Sequence, residues 1–311
     1  WTRPPFDPWI DGDWLYGRGG ADMKAGLVAN IAALDALKSL GYQPAATTYI
    51  QSVTEEECTG NGALSCLVRG YNADAAIIPE PEDDKLVRAN TGVIWFRVHL
   101  RGHPVHTRVA GSGFSAITGA YTLMESLRQL GERWNAEKDS HRYFEDLDHP
   151  INVVFGQIQG GDWPSMVPAW CWFDVRIAIY PGVDPRDAAI EIENCLREAA
   201  QADSTLANNP PDVEYTGFFA EGYVLEEGSD AEAALGRAHA KSFGSSLETF
   251  TTPGYLDGRV FVLYGDCPCL VYGPVSENIH GIDERVSLAS TKRVTGSIAL
   301  FIAEWCGLEK I

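Results

Sequence analysis

The chain has 311 residues, a hydrophobic content of 45% and a formal net charge of −19 at pH 7. This length allows one large domain or two ordinary domains with a sizeable core. The negative charge argues against nucleic acid or an anionic membrane as a partner, because both attract basic surfaces, and no apolar run is long enough for a membrane span.

The first ninety residues alternate between predicted helices and strands. A helix is predicted for AGLVANIAALDALKSLG, and a strand for TTYIQSV. A second helix is predicted for LSCLVRG, and a short buried strand for ADAAIIPE, which ends at Glu80. This alternation indicates an α/β layer with parallel strands.

The pattern changes near Val93, where the strand VIWFRVHLRG alternates between apolar and polar residues. A helix is predicted from Ser115 to Leu130, and another from about Pro185 to Ala200. Three further strands are predicted in this region: INVVFGQIQGG, WCWFDVRIAIY and DVEYTGFF. The order strand, helix, strand, strand, helix, strand is that of a ferredoxin-like α+β unit.

The α/β pattern resumes after the last of these strands. Helices are predicted from Asp230 to Phe243 and from Ser287 to about Cys306, with the strand PCLVYGP between them. We therefore predict an α/β fold into which a smaller α+β domain is inserted. The predicted boundaries are 1–92 plus 221–311 for the metal-binding domain and 93–220 for the inserted domain.

The seven cysteines are scattered along the chain, and none shows paired zinc-ligand spacing. Their distribution is also unlike the disulfide framework of a small secreted protein. Free cysteines of this kind are typical of buried apolar positions in a reducing compartment. We therefore predict a cytoplasmic protein.

Several acidic residues follow predicted strands, where ligands of open parallel sheets bind. Glu55–Glu57 follow one strand, and Glu80 ends the next. Asp22 precedes the first helix, and His280 follows the strand PCLVYGP. Taken singly, Asp22 fits a helix N-cap and the glutamates fit a solvated surface. Together these carboxylates would repel one another unless cations neutralised them, and oxygen and nitrogen donors suit zinc, or alternatively cobalt or manganese.

The chain resembles one protein family over essentially its whole length. The motifs that carry the resemblance are YGRGGADMKAG, TEEECTGNGA, IIPEP, GHPVH, PGYLDGR and IHGIDE. They have the order and spacing of the dinuclear zinc amidohydrolases, which include acetylornithine deacetylase, succinyl-diaminopimelate desuccinylase, aminoacylase and bacterial glutamate carboxypeptidases. The resemblance implies a homodimeric hydrolase that uses two divalent metal ions, with zinc as the first expectation. Its expected substrate is a small N-acylated amino acid or related amine, and its reaction is cleavage of the amide bond.

The resemblance also implies the metal ligands. Asp22 matches the aspartate that bridges the two metals. Glu57 and His280 match the ligands of one metal, and Glu80 matches the carboxylate ligand of the other.

Further roles follow from the same resemblance. Glu56 matches the general base. His106 resembles the histidine of the inserted domain that reaches the partner subunit's site and steadies the oxyanion. Arg176 and Arg259 resemble groups that hold a substrate carboxylate, and Gly254 resembles a backbone neighbour of the substrate.

The direction of side chains explains how three consecutive glutamates can divide their tasks. On an extended chain, Glu56 and Glu57 point to different sides, so one can bind metal while the other faces the substrate. Glu55 then points away and supports the loop. Gly60 and Gly62 allow the chain to turn sharply beneath these residues.

The sequence departs from the family in two places. The family carries a His-x-Asp motif, a metal ligand and its orienting partner, before the segment with which this sequence opens. No histidine precedes His99, so these residues supply no nitrogen ligand for the metal of Glu80. We expect an upstream segment, with loss of one metal as the alternative. The second departure is the segment GGDWPSMVP, which lacks the asparagine usual before Val-Pro.

Two other functions remain open at this stage. A dipeptidase or carboxypeptidase of the same family would share every metal residue. A non-catalytic relative would keep the fold without one of its metals. The sequence leaves the acyl group and the amine of the substrate open.

Overall fold

The computed structural model describes residues 1–311 and consists of six α-helices and fifteen strands. The helices are α1 Ala25–Ser39, α2 Asn61–Val68, α3 Ala116–Asn135, α4 Pro185–Ala202, α5 Asp230–Phe243 and α6 Leu288–Trp305. The strands are β1 Trp9–Asp11, β2 Trp14–Tyr16, β3 Tyr42–Pro44, β4 Ala76–Ile78, β5 Leu86–Asn90, β6 Gly92–Arg101, β7 Val153–Gly160, β8 Trp170–Ile179, β9 Asp212–Ala220, β10 Tyr223–Val224, β11 Thr249–Thr252, β12 Cys269–Val271, β13 Ser276–Glu277, β14 Arg285–Ser287 and β15 Leu308–Lys310. No helix combines the length and the apolar character needed to cross a membrane.

The middle of the chain forms the predicted ferredoxin-like unit. Its four strands pair antiparallel in the order β7-β8-β6-β9, so β6 and β8 are central. Helices α3 and α4 pack together against this sheet over a core of 26 buried residues. Both helices begin at side-chain caps, because Ser115 accepts a hydrogen bond from the Thr118 amide and Asp184 accepts one from the Arg186 amide.

A second core of 20 buried residues lies in the remainder of the chain. It combines apolar residues of α1, α5 and α6 with those of β5 and β12, and Leu86, Val271 and Phe301 are among its members. The predicted parallel pairing is found between β5 and β11 and between β4 and β12. The other strands here form small antiparallel sheets, so this region contains no single large sheet.

The strand predicted for TTYIQSV is wrong. Residues 47–53 belong to no strand, and Tyr49, Ile50 and Val53 are 46%, 41% and 37% exposed. A strand needs a neighbouring chain to accept its backbone hydrogen bonds, and no segment pairs with this one. The segment instead lines a cavity of 720 Å³. Strand β4 lines the same cavity and pairs only with β12.

A four-stranded antiparallel sheet in the order β1-β2-β14-β13 positions two predicted site residues. Asp22 lies between β2 and α1, and His280 lies in the loop between β13 and β14. Strands β2 and β14 pair directly, with Tyr16 opposite Arg285. Their neighbouring ends therefore bring the loops that carry Asp22 and His280 together.

Candidate metal centre

Three side chains from distant parts of the sequence meet at one point. Nε2 of His280 lies 3.1 Å from Oδ2 of Asp22 and 3.0 Å from Oε1 of Glu57. One potential ligand atom of each of the three residues lies within 4.8 Å of the others. This spacing is suited to a single cation bound between two carboxylate oxygens and an imidazole nitrogen.

The extended chain expected at Glu56 and Glu57 is wrong, because residues 56–59 form a turn before α2, and this turn gives the three glutamates different surroundings. The backbone carbonyl of Glu55 accepts hydrogen bonds from the amides of Cys58, Thr59 and Gly60, and its Oε2 accepts one from the Thr59 hydroxyl at 2.6 Å. Glu55 therefore stabilises the turn. Gly60 has a φ of 72°, a conformation that favours glycine.

Glu56 and Glu57 have different surroundings. The Glu57 carboxylate is exposed and contacts His280, whereas Glu56 is half-buried and does not belong to the three-residue cluster. Burial, together with the charges of Asp257 and Glu57, raises the pKa of Glu56 to about 9. The two neighbours thus present their carboxyl groups to different environments.

Glu80 lies next to this cluster at the end of β4. Its side chain is almost fully buried, at 4% exposure. Burial raises the pKa of Glu80 well above its usual range, and the charges of Glu56 and Asp22 act in the same direction. The buried Glu80 carboxyl therefore lies near three other acidic groups, those of Glu56, Asp22 and Glu82, and forms no ion pair.

The electrostatics of the cluster indicate a missing positive charge. Burial raises the pKa of Asp22, and the charge of Glu57 raises it further. Burial alone would lower the pKa of His280, but its hydrogen bond to Glu57 and the charges of Glu57 and Asp22 raise it. A divalent cation would remove the repulsion between these carboxylates, and their oxygen and nitrogen donors fit zinc, cobalt or manganese. The residues present therefore fit a metal centre.

The cluster opens into the 720 Å³ cavity. Asp22, Glu56, Glu57, Glu80 and Asp257 supply its acidic wall. Most of the remaining lining is apolar and comes from α1, α6, β4 and the segment around residues 46–53. Asp74 also lines the cavity, but most of the lining is apolar, as is usual for a small-molecule site.

His106 does not belong to this cluster. It is exposed, its Nδ1 accepts a hydrogen bond from the Arg108 amide at 3.0 Å, and it is not among the residues that line the cavity. Within one copy of the chain, His106 therefore caps a turn of the inserted region.

The two predicted substrate arginines differ in their partners. Arg176 makes no ion pair: its Nη2 donates to the Pro253 carbonyl at 3.3 Å, and burial lowers its pKa. Arg259 pairs with Glu221 at 2.9 Å and also donates to the hydroxyls of Tyr255 and Tyr264. Arg176 therefore retains an uncompensated charge, whereas Arg259 is already neutralised.

Gly254 follows β11, next to the Pro253 carbonyl that Arg176 contacts. Its own carbonyl accepts a hydrogen bond from Nδ2 of Asn90 at 3.2 Å. Its amide donates to the hydroxyl of Thr252 at 3.3 Å. Gly254 and Arg176 consequently lie close together at the junction of the inserted unit with the rest of the chain.

Two acidic residues near the centre were missed in the sequence. Asp257 is 3% exposed, its Oδ1 accepts a hydrogen bond from Tyr255, and its Oδ2 has no partner. Glu284 is fully buried and accepts hydrogen bonds from the amides of Ala21 and Asp22. Both lie within motifs already noted, PGYLDGR and IHGIDE, but a sequence alone does not reveal burial or missing partners.

Comparisons with known proteins agree with this architecture. The sequence model of a family described as "Peptidase family M20/M25/M40" matches residues 1–304. The chain is 30% identical to N-formyl-4-amino-5-aminomethyl-2-methylpyrimidine deformylase of Halalkalibacterium halodurans, with 100% of this chain and 76% of the relative covered. It is also 30% identical to acetylornithine deacetylase of Erwinia tasmaniensis, over 98% of this chain and 76% of the relative.

Among solved structures, the fold resembles an M20-family metallo-carboxypeptidase from Sulfolobus solfataricus. The TM-score is 0.71 at 14% sequence identity, with 97% of this chain and 80% of the other covered. At this identity the likeness concerns the fold, and it extends over 97% of this chain.

Proposed function

This chain belongs to peptidase family M20/M25/M40, and from that membership we propose that it is a metal-dependent hydrolase of small N-acylated amines. The observation that carries the proposal is the meeting of Asp22, Glu57 and His280 within 4.8 Å, beside the buried carboxyl of Glu80. Buried acidic groups without basic partners are costly unless a cation binds them.

In this proposal Asp22, Glu57 and His280 hold one divalent ion, with zinc expected first and cobalt or manganese as alternatives. Glu80 would help to hold a second ion, with Asp22 as its neighbour. A divalent ion supplies Lewis acidity, which polarises an amide carbonyl and lowers the pKa of a bound water. The exposed position of Glu57 and His280 leaves one side of the centre open to the solvent and substrate.

Glu56 is assigned as the general base. It lies beside a proposed ligand without joining the ligand cluster, so its carboxylate is free to accept a proton from the attacking water. The same carboxyl can then give that proton to the leaving nitrogen. The pKa of Glu56 is raised to about 9 without a cation, and a positive charge beside it would favour the ionised form that a base requires.

The substrate proposal rests on Arg176. A desolvated guanidinium without an ion-pair partner attracts a carboxylate, which favours an N-acyl amino acid over an uncharged amide. Gly254 would lie beside such a substrate because it is adjacent to the carbonyl that Arg176 contacts. Arg259 is proposed to support Tyr255 and Glu221 because its charge is already paired.

We retain the prediction that residues 93–220 form a lid domain that mediates a homodimer. His106 is exposed on this part of the chain and would act on the partner subunit's site, as the family resemblance implies. The cytoplasm remains the proposed location.

A dipeptidase or carboxypeptidase activity is the second candidate. Arg176 would bind the terminal carboxylate of a peptide as well as that of an N-acyl amino acid, so this residue favours both. The names of the relatives cover a deformylase, a deacetylase and a carboxypeptidase.

The test is a substrate panel assayed after metal removal and readdition. The protein is treated with a chelator and then supplied with zinc, cobalt or manganese separately. The panel pairs N-formyl, N-acetyl and N-succinyl amines with and without an α-carboxylate, and includes dipeptides. We expect no turnover without metal, restoration by zinc or cobalt, and a preference for carboxylate-bearing substrates. Binding of fewer than two metal ions, without hydrolysis of any substrate, would instead identify the non-catalytic relative that lacks one metal.

A further inference from the structure

A buried ion pair lies directly behind the metal centre, and the proposed mechanism has no task for it. Nη1 of Arg18 lies 2.7 Å from Oε2 of Glu284. The Glu284 side chain is 1% exposed and that of Arg18 is 32% exposed. Burying a carboxylate so completely is unfavourable unless its hydrogen bonds are satisfied, so the contacts of this pair indicate what it does.

The other oxygen of Glu284 fixes the backbone at Asp22. Oε1 accepts hydrogen bonds from the amides of Ala21 at 3.1 Å and of Asp22 at 3.2 Å. The backbone of Asp22 is not helical, with φ −112° and ψ 98°, although it lies one turn before α1. The helix itself therefore does not hold Asp22, and Glu284 provides the contacts that do.

Arg18 fixes the backbone at His280 in the same way. Its Nη2 donates to the carbonyls of Gly281 at 2.7 Å and of His280 at 3.2 Å. His280 has a φ of 59°, in the left-handed region that is unfavourable for a residue with a side chain. Such a conformation persists only where surrounding contacts impose it.

One ion pair thus contacts the backbone of two proposed ligands that are far apart in the sequence. Glu284 is the residue before β14, and Arg18 is the second residue after β2, which pairs with β14. The pair therefore lies at the end of this two-strand ladder. It contacts both the loop of Asp22 and the loop of His280. Small errors in ligand placement are costly at a metal centre, so the contacts behind the ligands matter for affinity and geometry.

We propose that Glu284 is a positioning residue for the metal centre, which acts with Arg18 to set the separation of Asp22 and His280. This inference rests on the proposed function, because it assumes that the two residues bind a metal ion. The proposed role differs from a purely structural one in its consequence. Loss of the ion pair should alter the metal centre even in a variant that retains the fold.

The experiment compares Glu284→Gln and Arg18→Gln with a matched control, Glu277→Gln. Glu284→Gln keeps the shape of the side chain but replaces one of its two acceptor oxygens by a donor, so either Arg18 or the amides of Ala21 and Asp22 lose their acceptor. Glu277 pairs with Arg285 in the neighbouring β13–β14 hairpin, is 45% exposed and contacts no proposed ligand. Zinc affinity is measured by competition with a chromophoric chelator, and the cobalt-loaded proteins are compared by visible absorption. Circular dichroism of the metal-free proteins reports folding.

We expect zinc affinity to fall by roughly 10–100-fold in both test variants, the range typical of residues that orient metal ligands. The cobalt absorption bands should shift in the same two variants, while Glu277→Gln should match the wild type in both measurements. Wild-type affinity and cobalt spectrum in Arg18→Gln would overturn the proposal, even if Glu284→Gln did not fold. Absence of zinc and cobalt binding by the wild-type protein would overturn the proposed function instead.

Discussion

The inserted unit and the rest of the chain differ in the partners of their charged side chains. In the inserted unit, strands of eight to ten residues form one continuous antiparallel sheet, and several of its charges are paired, with Arg176 as the exception. Arg97 forms two hydrogen bonds with Asp174, at 2.6 and 2.8 Å, and His99 contacts Glu214 at 2.9 Å. In the rest of the chain the strands have at most five residues, and acidic groups face one another.

This difference separates structural charges from functional ones. A protein that needs a charge only for folding places the opposite charge beside it, as Arg97 and Asp174 illustrate. Glu56 and Glu80 lack such partners, and neighbouring acidic groups raise the pKa of each, a pattern that is typical of binding and catalytic sites. The comparison therefore predicts where a substitution will change chemistry and where it will change only stability.

The largest expected effect is that of Glu56→Gln. We expect turnover to fall by roughly 10²–10⁴-fold, the usual contribution of a general base, because glutamine cannot accept the proton of the attacking water. Bound metal, measured by elemental analysis, should remain at the wild-type level because Glu56 is outside the ligand cluster.

Glu55→Gln is the matched control for this variant. Its Oε2 accepts a hydrogen bond from Thr59, which a glutamine oxygen can also accept, so we expect near-normal turnover. A parallel loss of metal and activity in Glu56→Gln would show that the roles of Glu56 and Glu57 are interchanged.

The next largest effect is expected for Arg176→Gln. A charged hydrogen bond contributes about 1.5–3 kcal/mol, so kcat/KM for an N-acyl amino acid should fall by roughly 10–100-fold. The same amide without a carboxylate should be hydrolysed at an unchanged rate. Steady-state kinetics with the paired substrates measure this difference.

Arg97→Gln supplies the control on the adjacent strand of the same sheet. Arg97 already has Asp174 as its partner, so its loss should leave the preference for carboxylates unchanged. Equal losses for both substrates in Arg176→Gln would mean that Arg176 supports the fold rather than the substrate.

The comparison between the two regions also explains what could be predicted from the sequence. Long elements were predicted well because their periodicity and caps are local: α3 begins after Ser115, α4 after Asp184 and α5 after Ser229, whose side chains accept the capping hydrogen bonds. The strand at residues 47–53 was wrong because pairing depends on a distant partner. Strands of two or three residues, such as β13 and β14, are too short to show alternation.

In the candidate site, too, local motifs could be predicted and contacts between distant residues could not. Asp22, Glu57 and His280 were predicted because each lies in a recognisable motif, and the structure brings them together. The importance of Asp257 and Glu284 depends on burial and on missing or distant hydrogen-bond partners. Those properties arise only when the chain folds, so the local sequence gives no signal for them.

A smaller effect concerns the stability of the metal-free protein. Burial raises the pKa of Glu56 to about 9 and the pKa of Glu80 well above the usual value of 4.5. Between the usual and the raised pKa the unfolded chain ionises while the folded chain must retain its protons. The stability that the protonated forms of these two groups allow is therefore fully present below about pH 4.5, and it is lost as the pH rises towards 9.

Glu80→Gln tests this dependence, because it removes one buried ionisable group. At pH 8 we expect the variant without metal to be more stable than the wild type by about 1–3 kcal/mol, and its stability to vary less with pH. Urea unfolding at several pH values measures both quantities. An unchanged pH dependence would show that the carboxyl of Glu80 is not the source of the destabilisation.

The smallest effect is expected in the inserted unit, for the pair Arg97 and Asp174. Their side chains are 29% and 25% exposed, so water screens the attraction, and Arg97 also packs over the Trp172 ring at 3.8 Å. A double-mutant cycle with Arg97→Gln and Asp174→Asn should give a coupling energy of about 0.2–1 kcal/mol, with unchanged kcat. Removal of a charge here should lower the stability, whereas Glu80→Gln should raise it, because here each charge stabilises its partner. A coupling energy near zero would show that the geometry of this pair has no energetic value, while a loss of kcat would show that this pair also serves the reaction.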